Sequence, residues 1–200
     1  MNTPIHLFGP FFTSALELVS FVLSVITVVL NIRQLHWAWL FAIVSSATYA
    51  VVFFGAKLYG DMGLQGVFIA VSVWGWYQWL HGGDARKPLA VTTCDKKAWI
   101  VSAIGWAVGF AILAHFLKNY TDTDVPRMDG FLTAGSLLGQ VLLSRKKVEN
   151  WLVWIVVDIL YVGLYVYKGL MVTAVLYALF VVLAGIGLVA WQRAHAREPA

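Results

Sequence analysis

Seven membrane-spanning helices, arranged as two parallel three-helix repeats joined by one linker helix, are the architecture this sequence predicts. Three observations predict it: a composition too apolar for a soluble core, seven apolar runs of spanning length, and an internal repeat. Of 200 residues, 60% are hydrophobic and only 12% are charged, with a mean hydropathy of +0.78. Soluble domains carry about 25% charged residues, and a single core of this length cannot hide the excess apolar surface. Lipid can, because hydrocarbon solvates it. Ten Trp, eight Tyr and twelve Phe supply rings for interfacial belts or for a ligand path.

The chain opens on Met1–Thr13, which holds no Lys or Arg. That argues against a cleaved signal peptide, and His6, Phe8, Phe11 and Phe12 suit a short segment lying at the interface. A span needs roughly 17 to 25 apolar residues. Leu16–Ile32 is the first and is closed by Arg33; Trp37–Phe54 is the second. Met62–Leu80 follows, then Ala98–Leu117, which stands between the repeats. Met128–Leu143 is the shortest and most polar, and Trp151–Tyr167 and Leu170–Trp191 complete the set. Backbone groups in lipid must bond within their own segment, so each run reads as a helix. One membrane domain results, with repeat one at 16–80, the linker helix at 98–117 and repeat two at 128–191.

The loops hold all the Lys and Arg, and their imbalance sets the orientation. One face carries Arg33, Arg86, Lys87, Lys96, Lys97, Arg145, Lys146, Lys147, Arg193 and Arg197; the other carries only Lys57, Lys118, Arg127 and Lys168. The N-terminus is therefore expected outside and the C-terminus in the cytoplasm. The net charge of +4 then reflects topology and not nucleic-acid binding. Cys94, the single cysteine, excludes an intramolecular disulfide and falls on the reducing side.

A shift of 112 residues superposes the two triplets without a gap. Glu17 falls on Asp129, Ser24 on Ser136, Arg33 on Arg145, Trp39 on Trp151, Tyr49 on Tyr161, Gly75 on Gly187 and Trp79 on Trp191. Three helices plus a linker make four crossings, so the second triplet re-enters with the polarity of the first. Parallel repeats of this kind build a central site between halves that rock against each other.

Polar groups inside a bilayer are costly and usually face the bundle interior. On the sixth helix Trp154, Asp158, Tyr161 and Tyr165 share one stripe, with Asp158 at mid-span. A protonated Asp clipping two helices is the bland explanation; a carboxylate that bonds a ligand hydroxyl or offsets a ligand cation is the functional one. Asp129, Thr133, Ser136 and Gln140 form a second stripe, and Gln140 and Asn150 can each donate and accept. Gln65, Ser72, Trp76 and Trp79 share a face of the third helix. The substrate-binding candidates are thus Tyr49, Trp76, Trp79, Gln140, Asn150, Trp154, Asp158 and Tyr161.

No enzyme constellation appears: the chain has no HExxH, GxSxG, P-loop or Rossmann glycine pattern. No cofactor or metal ligand set is expected. Of five His, only His115 lies in a span, near its outer end, and packing or interfacial contact is the reading there. The last helix carries no Lys within Leu170–Trp191, which excludes a retinal Schiff base.

The stretch from Trp151 through Trp154, Asp158, Tyr161, Tyr165, Lys168 and Gly169, followed by Thr173 and Tyr177, resembles the bacterial nicotinamide riboside transporter family of PnuC type. The cluster Trp74-Gly75-Trp76-Tyr77-Gln78-Trp79 is similar to that family's tryptophan-rich motif, and the resemblance runs from about Leu16 to Trp191. It implies a three-plus-one-plus-three fold like that of the SWEET sugar transporters, in a bacterial inner membrane. It also implies facilitated diffusion of a vitamin precursor, trapped by a separate cytoplasmic kinase. Carriage of thiamine, riboflavin or a deoxynucleoside is the alternative within the resemblance, and a homo-oligomer is compatible with it. A rival from another class is a vitamin-binding subunit of a larger transport complex, with the Arg86–Lys97 loop as its partner surface.

Overall fold

The computed structural model describes residues 5–8, 11–13, 15–55, 59–83, 88–169 and 171–197; Lys57, Arg86 and Lys87 lie outside them. Seven helices follow one another: α1 (Ala15–Ile32), α2 (Ala38–Gly55), α3 (Tyr59–His81), α4 (Lys96–Tyr120), α5 (Pro126–Ser144), α6 (Asn150–Tyr167) and α7 (Met171–Arg197). Their 18 to 27 residues give lengths of roughly 27 to 40 Å at 1.5 Å per residue, enough for a hydrocarbon layer of about 30 Å. By length and apolarity alone, Lys96–Tyr120, Asn150–Tyr167 and Thr173–Arg197 qualify as spans, while α1 and α2 carry the shorter apolar stretches Phe21–Ile32 and Ala38–Val51.

Two features depart from the expected outline. The N-terminal segment folds as a hairpin, β1 (Ile5–Phe8) antiparallel to β2 (Phe11–Thr13), with Ile5 opposite Thr13 and His6 opposite Phe12. Its aromatic residues favour extended backbone, and β2 touches α7. The last helix continues past Trp191 to Arg197, because Arg193 and Arg197 sit in the exposed final turns where no lipid penalises charge.

Six helices close a ring in the order α1, α2, α3, α5, α6, α7 and back to α1. The linker α4 stands outside it, packed on α5. It buries none of its residues and turns Trp99, Ile100, Ile104, Val108 and Ile112 outward. An apolar surface of this kind suits contact with lipid. Close packing with α5 comes from Gly130, where a Cβ would lie 2.7 Å from the Ala114 backbone nitrogen, and from Trp106, whose indole N–H donates to Phe131 O at 3.0 Å. His115 is exposed on this helix.

The repeat is visible atom by atom at the end of the bundle rich in Lys and Arg. Trp79 donates to Leu143 O at 3.0 Å, and its counterpart Trp191 donates to Asn31 O, the counterpart of Leu143, at 3.2 Å. Trp39 meets Trp79 edge-on at 5.5 Å and 88°; Trp151 meets Trp191 at 5.5 Å and 89°. Each outer indole lies against a matched glycine. A Cβ on Gly75 would come within 2.5 Å of Trp39, and one on Gly187 within 2.6 Å of Trp151. Trp79 and Trp191 then pair across the middle at 6.1 Å. This tryptophan layer is one buried core, beside a second of Leu132, Leu142, Val153, Val157 and Leu164 on α5 and α6; both triplets present the layer from the same end, so they run parallel.

The turns beneath are equally matched. Gln34 and Lys146 occupy the same repeat position and both hold positive φ, 56° and 49°. The segment before α4 lies along the second of these turns. Thr92 N–H donates to Lys146 O, Val148 N–H donates to Thr92 O, and Cys94 N–H donates to Glu149 Oε1 at 2.9 Å. Part of the Arg86–Lys97 loop is therefore committed to the protein's own α5–α6 turn. Burial pushes the Cys94 thiol up to about 11, and its hydrogen bond with the Glu149 side chain adds to the rise.

Candidate functional site

Inside the ring, beyond the tryptophan layer, lies a cavity of about 310 Å³. Helical spacing builds its wall. On α1 the stripe Ser24, Thr27, Val28 and Asn31 faces inward; on α2 it is Ala42, Ser45, Ser46 and Tyr49; on α3 it is Gln65, Phe68 and Ser72. The second triplet contributes Gln140 and Leu143, then Trp151, Trp154 and Asp158, then Tyr177, Phe180 and Ala184. No residue of α4 takes part, and no Lys, Arg or His of the described residues lines the space.

Of the candidates read from sequence, Tyr49, Gln140, Trp154 and Asp158 come together on this wall. Asp158 is 4% exposed, and no hydrogen bond to it is recorded among the described residues. Gln140 is oriented across the triplets, its amide donating to Ser72 Oγ at 3.2 Å. Gly139 makes room for Trp154, since a Cβ there would sit 2.9 Å from its indole.

The other four lie elsewhere. Trp79 belongs to the tryptophan layer, with its N–H committed to Leu143 O. Trp76 turns toward the α1–α2 connection, where its indole N–H donates to His36 Nδ1 at 3.3 Å and its ring lies 6.2 Å from Trp37. Asn150 is fully buried at the start of α6 and donates to Lys147 O at 2.6 Å. Tyr161 continues the α6 stripe beyond the cavity, packed on Tyr165 at 5.6 Å and on Tyr177 at 4.7 Å. Asp129 is held by Thr123, whose hydroxyl donates to its carboxylate, at the end opposite the tryptophan layer.

Sequence reasoning passed over the hydroxyl-bearing residues of the first triplet, Ser24, Thr27, Ser45 and Ser46, and also Asn31. The signal that finds them is the repeat itself: Ser46 is the counterpart of Asp158 and Asn31 that of Leu143.

Residues 14–193 match the family described as nicotinamide mononucleotide transporter. The chain belongs to that family. Among relatives of this transporter, the riboflavin/roseoflavin transporter RibM of Streptomyces davaonensis is 29% identical over 188 residues, covering 91% of this chain and 86% of the relative. The nicotinamide riboside transporter PnuC of Escherichia coli is 21% identical over 183 residues, covering 76% of this chain and 74% of the relative. A crystal structure of the vitamin B3 transporter PnuC superposes with a TM-score of 0.72 at 24% identity, covering 92% of this chain and 83% of the other. That likeness establishes the fold: two parallel triplets and a linker in a multi-pass membrane protein. The family consists of transporters, and this chain is a transporter and not an enzyme.

Proposed function

We propose that this transporter carries nicotinamide riboside across a bacterial inner membrane by facilitated diffusion. The observation that carries the reading is Asp158, a buried carboxyl group on one wall with Trp154 and Tyr177, in a cavity with no Lys, Arg or His among its described lining residues. A pyridinium ring suits that wall. Aromatic faces attract a desolvated cation by about 2 kcal/mol, and the carboxylate offsets its charge. Gln140 is positioned to pair with a carboxamide. The volume of about 310 Å³ lies at the small end of ligand cavities, about 300 to 1,000 Å³, which fits one ring and one sugar.

In this reading Tyr49, Gln140, Trp154 and Asp158 touch the substrate, while Trp76, Trp79, Asn150 and Tyr161 support the surrounding walls. The halves, residues 16–80 and 128–191, rock about an axis along the membrane normal, with the N-terminus outside and the C-terminus in the cytoplasm. A separate cytoplasmic kinase traps the product, because phosphorylation adds a negative charge and no Lys, Arg or His among the described residues lines the cavity to match it. The test is a thermal-shift and liposome-uptake series on the purified full chain with nicotinamide riboside. Binding with uptake that persists in the presence of an uncoupler supports the proposal. Uptake that requires an imposed proton or sodium gradient, and does not follow membrane potential alone, refutes the uniport step.

A second reading, transport of riboflavin, is favoured by the 29% identity to RibM over 91% of the chain. Competition between the two vitamins at the same purified protein separates them.

A further inference from the structure

The two halves of the cavity wall are related position by position, yet their chemistry has diverged. Ser46 faces Asp158 in the repeat, Ala42 faces Trp154, and Gln65 faces Tyr177, with all six residues on the wall. Where the second triplet places a carboxylate and two aromatic rings, the first places a hydroxyl, a methyl group and an amide. Ser24, Thr27 and Asn31 of α1 and Ser45 of α2 extend the polar half. No protein hydrogen bond is recorded to Ser24, Ser45, Ser46 or Gln65 among the described residues. Thr27 uses its proton on Leu23 O at 2.8 Å and retains its acceptor lone pairs. Asn31 Oδ1 is buried without a partner.

The first triplet also brings the rings of Tyr49 and Phe68 to the wall and the second the amide of Gln140, but the hydrogen-bonding groups left unfilled on α1 and α2 have a direct consequence for ligand pose. Buried polar groups cost free energy unless a ligand or water completes them, whereas rings bind flat apolar or cationic groups. We propose that the substrate lies across the pseudo-two-fold axis in one fixed direction. Its planar ring is held by the second triplet at Trp154, Asp158 and Tyr177. Its polyhydroxylated arm is held by the first triplet at Ser24, Asn31, Ser45 and Ser46. The first triplet is thereby the sugar-alcohol subsite, and specificity for a hydroxylated arm resides there. The inference rests on the proposed transport of a ring-plus-polyol vitamin, but it does not depend on which ring is carried.

The test compares two probes on the purified full-length protein by calorimetry: nicotinamide riboside, and 1-methylnicotinamide, which keeps the cationic ring and lacks the sugar. Ser45→Ala and Ser46→Ala each remove one hydroxyl with little change in volume. Each is expected to weaken the riboside about two- to ten-fold, the worth of one or two neutral hydrogen bonds, and to leave 1-methylnicotinamide within two-fold. Trp154→Ala is expected to weaken both probes. Equal loss of both probes in the serine variants, or an unchanged riboside affinity in the double serine variant, overturns the assignment. A wild-type protein that binds neither probe but binds riboflavin overturns the nicotinamide reading instead. The same comparison with riboflavin and lumichrome, its arm-free ring, then decides the orientation.

Discussion

Lys146 donates a hydrogen bond to Gln34 Oε1 at 3.4 Å, and the two residues hold the same position in the two repeats. A perfect duplicate would place two identical side chains at this point on the axis. Two lysines would repel and two glutamines would leave Trp79 without the ammonium that now lies 4.7 Å above its ring. Divergence here resolves a conflict that duplication creates.

Gln34→Lys restores the repulsive pair. Lys146 is only 6% exposed, so screening is weak, and a loss of about 1 to 2 kcal/mol is expected. The melting temperature of the solubilised protein should fall by several degrees, and added salt should recover little of it. An unchanged melting temperature would show that the ammonium groups escape to solvent.

Gly75→Ala and Gly187→Ala drive a methyl group into Trp39 and Trp151, whose atoms stand 2.5 and 2.6 Å from the added carbon. Overpacking of this kind costs about 1 to 3 kcal/mol. Because the two sites are repeat counterparts with matched surroundings, similar losses are expected from each in chemical or thermal unfolding. A large effect at one site and none at the other contradicts the equivalence.

Asp158→Asn keeps the shape of the cavity wall and removes the carboxyl group's capacity to carry a negative charge. Affinity for a cationic ring should fall about ten-fold, or roughly 1.4 kcal/mol, while a neutral ring-plus-sugar ligand such as riboflavin should be little affected. Calorimetry on the same preparation reads both. If the cation loses nothing, the carboxyl group serves as a hydrogen-bonding clip.

Cys94 offers a prediction in pH. Raising a thiol from 9.0 to about 11 lowers its thiolate fraction at pH 8 about 100-fold, and thiolate is the reactive species. Maleimide labelling of the folded protein should therefore be slow at pH 8 and keep rising about ten-fold per pH unit toward pH 11, with the denatured chain labelling fast at pH 8. Glu149→Gln removes the neighbouring negative charge and should speed labelling; a slower rate would reverse the assigned cause.

Much of this architecture was legible because membrane insertion constrains sequence strongly. Apolar run length gave seven helices, and the register of Trp39, Gly75 and Trp79 with Trp151, Gly187 and Trp191 gave the repeat. The site was only half legible. Helical periodicity identifies which residues share a face but not which neighbour that face meets. Trp79 shares its α3 face with Gln65 and Ser72, both on the cavity wall, yet its N–H staples the end of α5. Asn150 can donate and accept as a ligand amide requires, yet its NH2 group is committed to Lys147 O in the turn that precedes its helix. Small hydroxyl residues such as Ser45 and Ser46 carried too little signal singly, because they pack equally well in any membrane helix.

The helix that buries none of its residues decides how the second triplet is threaded. Each crossing reverses the direction of the nascent chain, and a triplet following directly on a triplet would be threaded upside down. Its matched tryptophans would then emerge at opposite faces of the bilayer, and the layer they form could not assemble. A single extra crossing between the copies restores their common polarity. What the fold asks of α4 is therefore one crossing, the hydrophobicity to make it and a grip on α5.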